Sequence, residues 1–235
     1  MRARMESLDL LANNIANAET GGYKVDREFY NLYISPEAAA TADESDPSEL
    51  PVIEKNYIDF SPGTLRDTAN PLDFAIQGTG FFAIDTPAGV AYTRNGSFQL
   101  SPTGALTTAD GYTVRDAAGK PVTLNTAMPV EAAADGTLRQ GGQPVTQIAL
   151  VSFGDTTALV KQGNTLFRPA DPDAKSAPAQ GQLQQGKLES SNLGAAESAV
   201  RLVSVMRQFD MLQRAMRIGT DMNRKAVEEV ARVNS

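Results

Sequence analysis

Residues 192–233 constrain the fold most: the run contains no proline and only two glycines, Gly194 and Gly219. Its apolar and small residues alternate at spacings of three and four, through Ala195, Ser198, Leu202, Val205, Phe209, Leu212, Met216, Gly219, Asn223, Ala226, Val230 and Val233. Every charged residue of the run lies off that seam. A heptad sustained this long predicts a coiled-coil helix, roughly 60 Å long at ~1.5 Å per residue. Val200, Met211, Ile218 and Met222 lie outside the seam, so a single partner helix would leave them wet. The pattern therefore fits a helix surrounded by others, either in neighbouring copies or in a thick bundle of its own chain.

The chain has 235 residues, enough for one large domain or two small ones. Cysteine and histidine are absent, which removes thiolate nucleophiles, disulfides, Cys/His zinc sites and the usual general base. No cofactor is expected. The net charge of −7 argues against a nucleic-acid partner. No apolar run approaches the ~20 residues of a membrane span, and no basic segment followed by an apolar core opens the chain. A protein of this kind leaves the cytoplasm, if it does, without a cleaved signal peptide.

Residues 1–18 read as the second half of a helix. Met1, Leu8 and Ile15 recur every seven, Leu11 and Ala18 take the complementary position, and no N-cap residue precedes Arg2. The expectation is that about ten further helical residues precede it. The helix exits through Asn13-Asn14-Ile15-Ala16-Asn17-Ala18-Glu19-Thr20-Gly21-Gly22-Tyr23-Lys24, where Gly21 is placed to adopt the left-handed closing conformation. Asn13, Asn14 and Asn17 stand off the Leu8/Leu11/Ile15 seam. Their amides are expected to face outward and to bond groups outside the helix.

Residues 27–33 carry an aromatic patch of Phe29, Tyr30 and Tyr33, expected to pack near the helix ends. Residues 35–51 hold five carboxylates, three prolines and no basic residue, the composition of a mobile acidic connector. No D-x-D-x-D-G loop marks a metal site among them. From Val52 the period changes to two. Short strand-like runs, from Phe81-Phe82-Ala83-Ile84 through Val122-Thr123-Leu124 to Leu166-Phe167, alternate with Pro87-Ala88-Gly89, Asn95-Gly96, Pro102-Thr103-Gly104 and Asp110-Gly111. These predict an antiparallel β domain with hairpin turns, Asn95-Gly96 being read as a type I′ turn. Gly78-Thr79-Gly80 lacks the third glycine and the helix of a dinucleotide loop and reads as a tight turn. The resulting order is a helix and aromatic patch (1–33), an acidic connector (34–51), a β domain (52–168), a Pro/Gln-rich connector (169–187) and the terminal helical segment (188–235). The fold class is α+β: two terminal helices paired as a coiled-coil-like hairpin, with an antiparallel all-β domain inserted between them.

Three stretches carry a family resemblance. The Asn13 to Lys24 stretch resembles the N-N-[LI]-A-N-x-x-T-x-G-[FY]-[KR] pattern of bacterial flagellar rod, hook and hook-associated proteins. Asn70-Pro71-Leu72-Asp73-Phe74-Ala75-Ile76-Gln77-Gly78-Thr79-Gly80-Phe81-Phe82, with Tyr92-Thr93-Arg94-Asn95-Gly96-Ser97-Phe98, is similar to the β-domain hallmark of the rod and hook members. Leu188-Glu189-Ser190-Ser191-Asn192-Leu193 and Arg207-Gln208-Phe209-Asp210 resemble that family's C-terminal helix entry and body. Arg207-Gln208-Phe209-Asp210-Met211 and Asp59-Phe60-Ser61-Pro62-Gly63-Thr64-Leu65 look more like the proximal-rod type than the distal one. Family members usually have another turn or two of helix before the position of Arg2.

The resemblance implies a structural, non-enzymatic subunit of the flagellar basal-body rod. Such subunits polymerise through their terminal helices into a hollow shaft used for motility, and they leave the cell through the flagellar type III export apparatus. The implied partners are further copies of the chain and other axial proteins, rod and hook subunits. The candidate assembly interface is Leu8, Leu11, Asn13, Asn14, Ile15 and Asn17 at one end, with Leu202, Val205, Phe209, Leu212, Met216, Ile218 and Met222 at the other. Competing readings are a distal-rod or hook-type subunit, a secreted cell-wall hydrolase using two carboxylates, and an adaptor dimerised by its coiled coil.

Overall fold

A computed structural model describes residues 2–34, 49–171 and 174–233. The chain divides into two compact units, one of residues 1–15, 28–56 and 194–235, the other of residues 16–27 and 57–193. The first unit holds the helix α1 (Arg2–Ala16), most of the strands β1 (Asp26–Ile34) and β2 (Glu49–Ile58), and the C-terminal helix α2 (Ala195–Val233). The α+β class and the two terminal helices match the sequence reading. β1 and β2 form a two-stranded sheet, which that reading missed. The Tyr- and Phe-rich run from Asp26 and the Val-Ile pair of β2 have the branched and aromatic composition that suits a pleated ribbon. Residues 35–48 of the expected acidic connector lie outside the described residues, while Glu49, Leu50 and Pro51 belong to β2.

The second unit begins its strands with β3 (Leu65–Asp67), β4 (Phe74–Gln77), β5 (Phe81–Thr86), β6 (Gly89–Thr93), β7 (Phe98–Leu100), β8 (Leu106–Thr108) and β9 (Thr113–Val114). β10 (Glu131–Ala132), β11 (Thr137–Gln140), β12 (Gln143–Gln147), β13 (Leu150–Ser152), β14 (Leu159–Gln162) and β15 (Leu166–Pro169) follow. β16 (Ala177–Pro178), β17 (Gln182–Gln185) and β18 (Lys187–Glu189) complete it. The largest sheet runs β14-β15-β6-β5-β9-β8-β7, with β13 also on β5 and β16 on β13, and β10-β11-β12 form a separate three-stranded sheet. The neighbours are antiparallel. Three turns behave as their sequences predict. Gly89, Gly104 and Gly111 all take positive φ at the β5–β6, β7–β8 and β8–β9 hairpins.

Asn95-Gly96 does not form a hairpin. It joins β6 to β7, which pair with other strands, and Gly96 is not among the positive-φ glycines that a type I′ turn requires. Gly96 is there because the backbone of Phe74 crosses it. Phe74 N donates to Gly96 O at 2.9 Å, and a Cβ at Gly96 would overlap the Phe74 carbonyl. Gly96→Ala is expected to lower the urea midpoint with an unchanged m value, a loss of about 3 kcal/mol or more because backbone rather than a side-chain tip must yield.

Val122-Thr123-Leu124 is not a strand but carries one isolated bridge, Thr123 to Ala105, yet Val122 is fully buried. The main core joins Phe74, Ile76, Phe82, Ile84, Phe98, Leu106, Val114, Leu138, Ile148 and Leu183. A smaller aromatic core stacks Phe60 edge-on against Phe81 at 5.4 Å and Phe167 at 5.0 Å. Residues 169–187, expected to be a connector, return instead to the β unit: β16 pairs β13, and β17 pairs β4. Leu188 and Glu189, assigned with the terminal helix, belong to β18, which pairs β3. Leu183 explains the recapture, being an apolar residue among glutamines that fills the core.

Candidate functional site

Two features stand out, one in each unit. In the first unit, α2 leaves a large apolar surface uncovered. Val200 is 72 % exposed, Met211 62 %, Ile218 60 % and Met222 66 %, although full burial of such a side chain is worth about 1.5–3 kcal/mol. From Arg214 to Lys225 every side chain is exposed. Ala199, Val200, Val203, Ser204, Arg207, Gln208 and Met211 line a shallow groove along the helix. A helix apolar on more than one side and this bare is built to be covered.

The expected interface residues divide accordingly. Leu11, Asn14, Asn17 and Val205 are buried, Leu8, Ile15, Leu202 and Phe209 are half-buried, and Asn13, Leu212, Met216, Ile218 and Met222 are exposed. The outward orientation expected of the three asparagines holds for Asn13 alone. Asn17 lies at the turn after α1, where its Oδ1 accepts from Thr20 Oγ1 at 3.3 Å and its backbone O from Thr20 N at 3.1 Å. The side-chain amide is thus part of the helix exit. The left-handed residue of that exit is Gly22 (φ 67°), not Gly21, and a Cβ at Gly22 would also strike the Arg94 and Asn95 backbone.

In the second unit, that contact opens onto a buried charge junction. Lys24 Nζ lies 2.5 Å from Glu189 Oε1 and donates to Ser61 O at 2.7 Å. Arg94 Nη1 lies 3.2 Å from Glu189 Oε2 and donates to Ile76 O at 3.1 Å, while Nη2 donates to Gly78 O at 2.6 Å. Gly63 N also donates to Glu189 Oε1, at 2.9 Å. All three charged side chains are almost wholly buried. Burial pulls the Lys24 ammonium below its ordinary range, against the pull of Glu189, and it acts on Arg94 in the same direction. Beside this triad, Asn192 Oδ1 accepts from Val25 N at 3.0 Å, and its Nδ2 donates to Asp59 O at 2.7 Å. Gly22 N donates to Glu189 O at 2.7 Å.

Four distant segments, around Lys24, Ser61, Arg94 and Glu189, therefore close on one carboxylate. Sequence reasoning did not select these residues for the site, although Lys24, Arg94, Glu189 and Asn192 all sit inside the stretches that carried the resemblance. Those stretches also hold Glu19, Asp73, Arg207 and Asp210, so charge alone did not single the triad out. Such a triad restricts geometry more than it adds stability. It ties four segments of the β unit together, and its three charged side chains are shut off from solvent. Among the described residues no cluster of acidic side chains could hold a metal ion, and no helix is long and apolar enough to cross a membrane.

Next to the triad, Lys161 Nζ sits 4.1 Å from the centre of the Tyr23 ring and bonds Asp26 Oδ2 at 2.7 Å and Lys24 O at 2.8 Å. Burial, with the Asp26 charge, raises Tyr23 to about 12. The folded state thus holds the phenolic proton more tightly than the unfolded chain. Its stabilising effect is complete below about pH 10 and is lost as the pH rises toward 12. An ultraviolet titration should show a late tyrosinate step with a midpoint of about 12 that Tyr23→Phe removes.

Residues 75–143 match the family described as Flagellar hook protein FlgE/F/G D1 domain, and residues 184–229 the one described as Flagellar basal body rod FlgEFG protein C-terminal. The flagellar basal-body rod protein FlgF of Caulobacter vibrioides is 33% identical over 231 residues, 97% of this chain and 93% of that protein. FlgF of Mesorhizobium japonicum is 34% identical over 223 residues, 94% and 90% of the two chains. The flagellar basal-body rod protein FlgG of Bacillus subtilis is 31% identical over 235 residues, 89% and 88% of the two.

Proposed function

The chain belongs to the flagellar basal-body rod protein family and is a structural subunit of that rod; from this we propose that it polymerises through its terminal helices, α2 above all, in the proximal part of the shaft. The observation that carries the mechanism is the bare apolar surface of α2, with Val200, Met211, Ile218 and Met222 each more than half exposed. Neighbouring copies and other axial proteins supply the missing cover, and α1 pairs with α2 as the inner strand of a coiled-coil-like hairpin. Leu8, Leu11 and Ile15 on α1, with Leu202, Val205, Phe209, Leu212 and Met216 on α2, form the packing seam. The exposed Asn13 amide, and Ile218 and Met222 off the seam, serve contacts between copies. Within the β unit, the buried junction ties together the segments around Lys24, Ser61, Arg94 and Glu189.

The chain acts without catalysis in the periplasm-spanning rod and reaches it through the flagellar export apparatus. Arg207-Gln208-Phe209-Asp210-Met211 and Asp59-Phe60-Ser61-Pro62-Gly63-Thr64-Leu65 support the proximal over the distal position. The test is to label the Pro87-Ala88 hairpin tip and image intact basal bodies. Label at the membrane-proximal end of the rod is expected. Label in the hook, or none in the basal body, would overturn the reading. Purified protein should also leave peptidoglycan intact, whereas turnover would favour the hydrolase.

A further inference from the structure

The second unit is closed by a short segment near its C-terminal end. β4 has β17 as its only strand partner and β3 has only β18, among the described residues. β4 carries Phe74 and Ile76 into the main core, where Leu183 of β17 meets them. The same segment supplies backbone partners across the unit: Leu183 N to Ala134 O at 2.8 Å, Gly186 N to Asp73 O at 2.8 Å, and Ser190 N to Thr64 O at 2.8 Å. Gln185 bonds three places at once, its Oε1 accepting from Ala132 N and its Nε2 donating to Pro71 O and Val130 O. Among the described residues Glu189 is the carboxylate that pairs with both buried Lys24 and buried Arg94.

Without this segment, two strands lack partners and two cations lie in an apolar interior unpaired, a state the remaining contacts cannot hold. We propose that residues 182–192 are a closing latch, and that the β unit stays open until they arrive. The latch follows every other strand of the β unit in the chain. A subunit delivered N-terminus first thus keeps that unit open, and able to pass a narrow channel, until the latch has emerged. That consequence rests on the export route proposed above; the latch itself does not.

Native-state hydrogen exchange on the full-length monomer tests the latch. Closure as one event requires amides of β17 and β18 to show the same protection as those of β5 and β6, to within about threefold. Glu189→Ala should then reduce protection in all four strands together, by at least about a hundredfold. If β17 and β18 exchange about a hundredfold faster than β5 and β6, the segment undocks from a unit that stays closed, and the latch is refuted. Loss of protection in Glu189→Ala confined to β3, β4, β17 and β18 would refute it too. Because the measurement uses monomer, its failure leaves rod assembly by α2 untouched, and failure of assembly leaves the latch untouched.

Discussion

Ile218→Asp combined with Met222→Asp is expected to abolish assembly of the full-length chain while leaving its monomer folded. Both side chains are more than half exposed, so each carboxylate sits in water in the free subunit. Monomer stability should change by less than about 0.5 kcal/mol per substitution. The proposed contact covers the same positions in the polymer, where an unpaired carboxylate would cost several kcal/mol. The association constant should fall by at least about a thousandfold, read by sedimentation of the purified chain, and cells carrying the pair should not swim. Val205→Asp is the contrasting case. Val205 is buried in the monomer, so this change should reduce helix content and assembly together. If Ile218→Asp/Met222→Asp assembled normally, α2 would be exposed for another reason and the proposed contact would be wrong.

How much of this was legible in the sequence depended on whether the signal was periodic. The seam from Ala195 to Val233 repeats many times, so α2 was plain, as were the hairpins at Gly104 and Gly111, whose turn chemistry is local. Asn95-Gly96 misled because the same dipeptide serves two needs. A turn needs its positive φ, whereas here Gly96 is needed for the missing Cβ beneath the Phe74 carbonyl. The recapture of residues 182–189 was hidden because the strands alternate Leu with Gln and Lys, a pattern weaker than the Pro and Gly beside it. The asparagines misled for a third reason. A helical wheel gives direction from the axis, but Asn14 and Asn17 lie near the end of α1, where the surroundings decide burial. The triad was invisible because Lys24 and Glu189 are 165 residues apart and only the completed fold makes them neighbours.

The order of cost within that triad provides the sharpest test of its role. Glu189→Met leaves Lys24 and Arg94 buried without their shared carboxylate, and Gly63 N loses its acceptor. A loss of about 3–5 kcal/mol is expected, a large part of the ~5–15 kcal/mol that holds a domain together. Lys24→Met should cost less. Arg94 and Gly63 N still satisfy Glu189, one buried cation is gone, and Ser61 O keeps its bond from the Asn192 amide at 3.2 Å. The triple replacement Lys24→Met/Arg94→Met/Glu189→Met should recover most of what Glu189→Met loses, since no uncompensated charge remains and the volume is filled. Urea unfolding of the four chains measures the series. Recovery would mean that the charges select the arrangement of the four segments rather than supply its strength. The triple variant would then be a stable subunit whose defect shows as a looser arrangement of those four segments, read by faster amide exchange around Lys24, Ser61, Arg94 and Glu189. A triple variant as unstable as Glu189→Met would instead make the ion pairs a direct source of stability.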